Sequence, residues 1–308
     1  MEKVAYVFPG QGSQALGMLA DLAAEHEVVA QTFAQASEAL GYDLWALVQE
    51  GPVERLNETD KTQPALLTAS VAIWRALEAA GVAKPDVLAG HSLGEYSALV
   101  CGGVIDFVDA VKLVELRGQL MQQAVPAGTG AMYAIIGLDN EAIQKACDDA
   151  ANGAVVSPVN FNSPGQVVIA GEKAAVERAA DACKAAGAKM AVALPVSVPS
   201  HCELMKPAAE KLALALGEIE FKTPAVQIIN NVDVATNQDV AAIKDALVRQ
   251  LYCPVRWSET ISQIAEQGVV NVYEIGPGKV LTGLSKRINR SLKGKAINDV
   301  ASVAALVE

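Results

Sequence analysis

The hydrophobic pattern alternates between short unbroken apolar runs and longer stretches whose apolar residues recur every three or four positions. This predicts buried strands separated by helices. Residues 4–8 (VAYVF) form the first run and stop at Pro9-Gly10, a strand closed by breakers. A helical stretch covers much of 15–48. Thr62-Gln63-Pro64 opens the next helix, with Pro64 suited to its first turn, and Gly81 ends it. Val87-Leu88-Ala89-Gly90 reads as a short strand, followed at once by a helix from about Leu93 to Val100. Gly102-Gly103 stops that helix, and Asp106 caps another that runs to about Ala124.

Residues 128–197 follow a different order. A strand near 131–137 precedes a helix near 139–151. Two strands near 154–161 and 165–171 are joined through Asn162-Ser163-Pro164-Gly165, and a helix near 173–187 leads to a strand near 189–195. That is the β-α-β-β-α-β order of ferredoxin-like folds. Helices near 203–216 and 240–251 and strands near 226–231 and 269–275 then resume the alternation, and Gly276-Pro277-Gly278 leads into a last basic helix. The expected architecture is α/β: a mostly parallel sheet covered by helices, built from 1–127 and 198–308, with 128–197 inserted as a ferredoxin-like α+β subdomain.

Composition narrows the class. The chain has 308 residues, 52% hydrophobic and 19% charged, enough for a sizeable core and too few charges for disorder. A net charge of −11 disfavours nucleic acid as a partner. The charge is uneven: the stretch from Lys279 onward carries +4 and residues 1–278 carry −15. The basic end, with Lys286, Arg287 and Arg290, reads either as a solvated face or as a docking patch for an acidic partner. The first apolar run is too short for a secretory core, and no stretch approaches the roughly 20 apolar residues of a membrane span, so a soluble cytoplasmic protein is expected. The five cysteines (Cys101, Cys147, Cys183, Cys202, Cys253) include no CxxC pair, against a disulfide framework or a zinc site. Cys202 beside His201 reads as a buried thiol rather than a nucleophile.

The sharpest chemical signal is Gly90-His91-Ser92-Leu93-Gly94 between a predicted strand and a predicted helix. G-x-S-x-G in that setting is a nucleophile elbow, in which glycines permit a tight turn that lifts the serine hydroxyl above the sheet. It also leaves the Leu93 amide at a helix N-terminus, free to hold an oxyanion. The alternative is a serine that merely caps the helix. A serine nucleophile needs a base. Of His26, His91 and His201, the second should point away from the hydroxyl and the first sits among charges. His201, after the extended segment 195–200, is left as the base. Acids between Ser92 and His201 are plentiful, yet none stands in a motif, so a backbone carbonyl could orient the imidazole.

Phe8-Pro9-Gly10-Gln11-Gly12-Ser13-Gln14-Ala15 fits the loose GxGxxA dinucleotide fingerprint, but the stretch 20–40 looks helical where that motif requires a second strand ending in an acid. A second oxyanion donor, the Gln11 amide, is the better use of the loop. Arg117 shares a helix face with Leu113, Val114, Leu120 and Met121. It is read either as half of an internal ion pair or as a stem that snorkels to water, or, in a serine-transferase pocket, as a fork for a substrate carboxylate.

Taken together, Phe8-Pro9-Gly10-Gln11-Gly12-Ser13-Gln14, Thr62-Gln63-Pro64-Ala65, Gly90-His91-Ser92-Leu93-Gly94-Glu95, Arg117, Pro199-Ser200-His201 and Gly276-Pro277-Gly278-Lys279-Val280-Leu281 give a resemblance over essentially the whole length. The chain resembles the bacterial malonyl-CoA:acyl carrier protein transacylases of fatty-acid synthesis. The resemblance implies a hydrolase-like α/β subdomain with a ferredoxin-like insertion. It implies malonyl transfer from malonyl-CoA to the phosphopantetheine thiol of acyl carrier protein through an ester on Ser92, with no cofactor. His201 would be the base, Leu93 and Gln11 would hold the oxyanion, and Arg117 would bind the malonyl carboxylate. The histidine would be steadied by the main-chain carbonyl of Gln250. A serine hydrolase acting on acyl-CoA or esters is the rival that the elbow and His201 alone do not exclude.

Overall fold

The computed structural model describes residues 2–196 and 198–307; Ser197, within the expected extended segment 195–200, lies outside the described residues. Nine strands are described: β1 (Lys3–Phe8), β2 (Val87–Gly90), β3 (Gly130–Ile136), β4 (Val156–Ser163), β5 (Gln166–Glu172), β6 (Met190–Ala193), β7 (Gln227–Ile229), β8 (Val269–Ile275) and β9 (Lys293–Ile297). Five of them form one sheet in the order β7-β2-β1-β8-β9, with every pairing parallel. β1 is central and buried on both faces, which is why it reads as an unbroken apolar run. Tyr6 and Phe8 pack into the layer that contains the helices Thr59–Ala79 and Gly94–Cys101. Ala5 and Val7 face the opposite layer, with Trp257, Ile261, Leu281 and Leu284. The mostly parallel sheet covered by helices is the expected α/β architecture.

The other sheet has the order β4-β5-β3-β6 and is antiparallel throughout. With the helices Asn140–Ala151 and Lys173–Ala185 on one face it makes the ferredoxin-like arrangement. Its other face, through Met132, Val159, Val168 and Ala170, packs toward Cys202. Backbone hydrogen bonds join β4 to the main body: Phe161 N–H donates to the Val255 carbonyl and Val255 N–H to that of Val159.

Several boundaries differ from the sequence expectation. The helix expected to open near Pro64 starts at Thr59, so Pro64 lies inside it. The extra turn packs against the helix Phe107–Ala124, where Gly118 permits the approach: a Cβ there would lie 2.5 Å from Asp60 Cα. The stretch 15–48 is three helices, Ala20–Glu25, Glu27–Leu40 and Leu44–Glu50, broken at His26 and at Gly41, which ends its helix with φ +76°. The helix Trp257–Glu266 opens without a side-chain cap and gives no start signal. The basic C-terminal stretch is a helix, Val280–Ile288, followed by β9 and a short helix, Val300–Ala304. β9 (KGKAI) escapes pattern recognition because it is an edge strand with an exposed start. No helix among the described residues is long and apolar enough to cross a membrane.

Candidate active site

β2 delivers the chain to Gly90, the turn His91-Ser92-Leu93 follows, and the helix begins at Gly94. Three glycines make this possible. A Cβ on Gly90 would fall 1.9 Å from Gly94 backbone atoms, one on Gly94 would fall 2.1 Å from the Phe8 carbonyl oxygen, and one on Gly10 would fall 2.6 Å from that of His91. Gly10 therefore serves close packing of the β1 loop on the elbow. The next strand in sequence, β2, begins only at Val87, so the dinucleotide-binding context is absent from the described residues. Ser92 itself has φ +53°, the left-handed region that costs a residue with a Cβ on the order of 1 kcal/mol or more.

Ser92 Oγ lies 2.8 Å from His201 Nε2. His201 Nδ1 lies 2.6 Å from the main-chain oxygen of Gln250, and because a carbonyl can only accept, Nδ1 carries the proton. Nε2 is then bare and accepts from the serine hydroxyl. Gln250 is the last residue of the helix Val240–Gln250, whose terminal carbonyls lack intrahelical partners and are free for this use. His201 has φ +64°, and its N–H donates to the Leu251 carbonyl. It is 3% exposed. Burial first, and then the Arg117 charge, hold its pKa down to about 3, so the imidazole is neutral.

His91 turns away from the hydroxyl: its Nε2 lies 2.8 Å from Asn162 Oδ1 on β4, and its ring packs by Trp257. His26 sits at the break between two helices and is not among the residues that line the cleft. Cys202 is buried, with its thiol donating to the Pro199 carbonyl, and burial pushes its pKa up to about 11. That is an inert thiol.

Arg117 is 1% exposed on the helix Phe107–Ala124. Its Nη1 donates to Gln63 Oε1 at 2.7 Å and its Nη2 to Gln250 Oε1 at 3.0 Å, with Ser92 Oγ 3.4 Å from Nη2. Its Nε has no acceptor among the described residues. The internal-ion-pair alternative is thus not what is found: two neutral amides hold the guanidinium, and it opens on a cleft of about 110 Å³. Gln11, Ser92, Leu93, Arg117 and His201 line the cleft, together with Met132 and Asn160 of the antiparallel sheet and Leu194 and Val196 just beyond it. The Gln11 and Leu93 amides make no backbone or side-chain hydrogen bond among the described residues, as groups reserved for an oxyanion would.

Three residues without an assigned role in the sequence complete the site. Asn231, just beyond β7, accepts from the Ser92 N–H through Oδ1 at 2.8 Å and donates through Nδ2 to the Gly90 carbonyl at 2.7 Å. Gln63 orients Arg117. Glu95 is buried, and one of its oxygens accepts from Asn231 N–H and from Gln250 Nε2. Burial pushes its pKa up to about 7, against those two hydrogen bonds. Gln63 and Glu95 stand within recognised motifs, but only their partners in space reveal what they hold. The paired polar residues Asn230-Asn231 right after an apolar run were the one available signal for the third. Lys286, Arg287 and Arg290 are exposed, and Arg287 reaches Gln166 of β5.

The profile of a family described as the acyl transferase domain matches residues 5–307. The chain is 65% identical, over the full length of both proteins, to the malonyl CoA-acyl carrier protein transacylase of Escherichia coli (strain K12). Among solved structures it is similar to an acyl carrier protein S-malonyltransferase from Vibrio cholerae, with 71% identity, TM-score 0.97 and 99% of each chain covered. It is also similar to a malonyl-transacylase solved in complex with a type II PKS acyl-carrier protein, with 67% identity, TM-score 0.98 and 99% of each chain covered.

Proposed function

The chain belongs to the acyl transferase domain family, and from that premise we propose that it moves malonyl groups from malonyl-CoA to the phosphopantetheine thiol of acyl carrier protein, in two half-reactions that supply fatty-acid chain elongation. The observation that carries the reading is a buried guanidinium without a carboxylate partner among the described residues, 3.4 Å from a serine that is itself hydrogen-bonded to a neutral imidazole.

In the first half-reaction Ser92 gives its proton to His201 Nε2 as Oγ attacks the thioester carbonyl. The Leu93 and Gln11 amides stabilise the oxyanion, and Arg117 holds the malonyl carboxylate in parallel hydrogen bonds. The C–S bond breaks, and coenzyme A leaves with the proton from Nε2. In the second, the carrier thiol gives its proton to Nε2, attacks the ester carbonyl and releases Ser92, which regains the proton. The Gln250 carbonyl keeps the imidazole in the productive tautomer throughout, in place of an acid. Neither half-reaction calls for a cofactor, since malonyl-CoA is a substrate. The reading places the enzyme in the cytoplasm. It divides the chain into a larger unit, 1–127 with 198–308, and an inserted unit, 128–197, supported by the two separate sheets.

Transfer must outrun hydrolysis. With holo carrier protein present, malonyl consumed from malonyl-CoA should appear on the carrier rather than as free malonate; dominant malonate release would favour the hydrolase reading. In the same assay Lys286→Glu with Arg287→Glu should raise KM for the carrier and leave that for malonyl-CoA unchanged. Equal effects on both would reject these exposed cations as the carrier dock.

The pH dependence follows from the depressed His201 pKa. The base is competent above its folded pKa of about 3 and is lost only as pH falls through that value. Acyl-enzyme formation should therefore stay level from pH 8 to below pH 6, as far as the fold persists. Stopped-flow rates showing an inflection near 6.5, the ordinary imidazole value, would contradict it.

A further inference from the structure

We infer that Glu95 is a positioning residue that sets nucleophile, base and carboxylate fork in register through a single buried oxygen. The inference rests on the assignment of Ser92, His201 and Arg117 to those roles. Glu95 Oε2 accepts from Asn231 N–H at 3.0 Å and from Gln250 Nε2 at 2.8 Å. Asn231 in turn holds both sides of the elbow, the Ser92 N–H and the Gly90 carbonyl. Gln250 holds the other two groups: its main-chain oxygen receives His201 Nδ1–H and its side-chain oxygen receives Arg117 Nη2–H. The elbow, the loop after β7 and the end of the helix Val240–Gln250 are far apart in sequence, and Glu95 is where their hydrogen bonds converge.

The convergence also fixes which way the Gln250 amide faces. A glutamine amide has nearly the same shape with oxygen and nitrogen exchanged, and only its neighbours distinguish the two orientations. Glu95 presents an acceptor, so the NH₂ must turn to it and the oxygen must turn to Arg117. The Ser92 carbonyl oxygen also accepts from Gln250 Nε2, at the longer distance of 3.1 Å; without Glu95 that bond alone is left to hold the NH₂, and the loosened amide would weaken the fork's support and move it. The amide dipole also lies with its oxygen toward the cation and its nitrogen toward the acid, linking Arg117 to Glu95 across one side chain. Because a single oxygen takes both N–H groups, the arrangement holds whether or not the other oxygen carries a proton.

Three variants test it, with kcat/KM measured for malonyl-CoA and acetyl-CoA. Glu95→Gln keeps an oxygen acceptor at the same reach and should keep the malonyl-to-acetyl ratio within about threefold of the parent. Glu95→Ala removes the acceptor and should lower malonyl transfer about 10²-fold, as expected for a misplacement of about 1 Å, with a fall of at least about tenfold in the ratio. Glu95→Asp keeps the charge but not the reach, and should resemble alanine; it serves where the alanine variant fails to fold. A parental ratio in Glu95→Ala or Glu95→Asp overturns the inference. So does Glu95→Gln losing the ratio as fully as they do, since charge and not the acceptor would then matter. Ser92→Ala run alongside separates the two levels: if it retains activity, the underlying assignment has failed rather than the role of Glu95.

Discussion

Replacing Ser92 by alanine is expected to lower malonyl transfer about 10⁴- to 10⁶-fold, the range seen when a hydroxyl nucleophile is removed from a preorganised serine site. The oxyanion donors and the fork remain, so malonyl-CoA still binds, but no ester can form. Intact-protein mass measurement after incubation with malonyl-CoA should show a malonyl adduct on the parent, on the peptide containing Ser92, and none on the variant. An undiminished adduct on Ser92→Ala would remove Ser92 from the mechanism. Stability should move separately from activity. With φ +53°, position 92 favours glycine. Ser92→Gly should therefore be as inactive as alanine but melt higher, a sign that the tight turn serves the reaction at the expense of the fold.

Removing the Arg117 guanidinium should change which acyl group the enzyme prefers. Loss of a desolvated, hydrogen-bonded charge pair typically costs about 2–5 kcal/mol, so Arg117→Ala should reduce discrimination for malonyl over acetyl by roughly thirtyfold to several thousandfold. The two substrates should move in opposite directions. In the parent, an acetyl group leaves the cation uncompensated, and its field opposes the proton that His201 must take up; Arg117 is the second cause of the depressed His201 pKa, after burial. A malonyl carboxylate neutralises that field as it binds. Arg117→Ala should accordingly lose malonyl transfer and gain acetyl transfer. Arg117→Lys keeps a charge but loses the fork, and should recover little malonyl selectivity. An unchanged malonyl-to-acetyl ratio in the alanine variant would refute the carboxylate-binding role.

The fold was legible where burial produces pattern. β1 and β2 are apolar on both faces and announce themselves, and the β-α-β-β-α-β order of the antiparallel sheet has a periodicity switch at each strand–helix boundary and turn residues between its two consecutive strands. Elements whose character depends on neighbours were not legible. β9 is largely polar because it lies at an edge, and the start of Thr59–Ala79 is fixed by contact with Gly118 rather than by a cap. The same division runs through the site. Ser92 carries a local signature because the tight turn demands glycines around it. Arg117 stands out because a cation on an apolar face is costly. Asn231 and Glu95 carry only faint local signals, a polar pair after an apolar run and a place at the end of a motif: what they hold is set by partners more than 130 residues away.

One contact gives the cleft a mechanical character. His91, adjacent to the nucleophile, is bound to Asn162 on the antiparallel sheet, while part of the cleft wall, Met132 and Asn160, belongs to that same sheet. The wall cannot swing outward as a free door. It must either snap this 2.8 Å tether or pull on the sharp strand-to-helix bend that aims the hydroxyl. Widening the entrance to admit a bulkier acyl chain therefore tends to spoil the aim, and a tight doorway and a well-aimed serine are one property of the molecule.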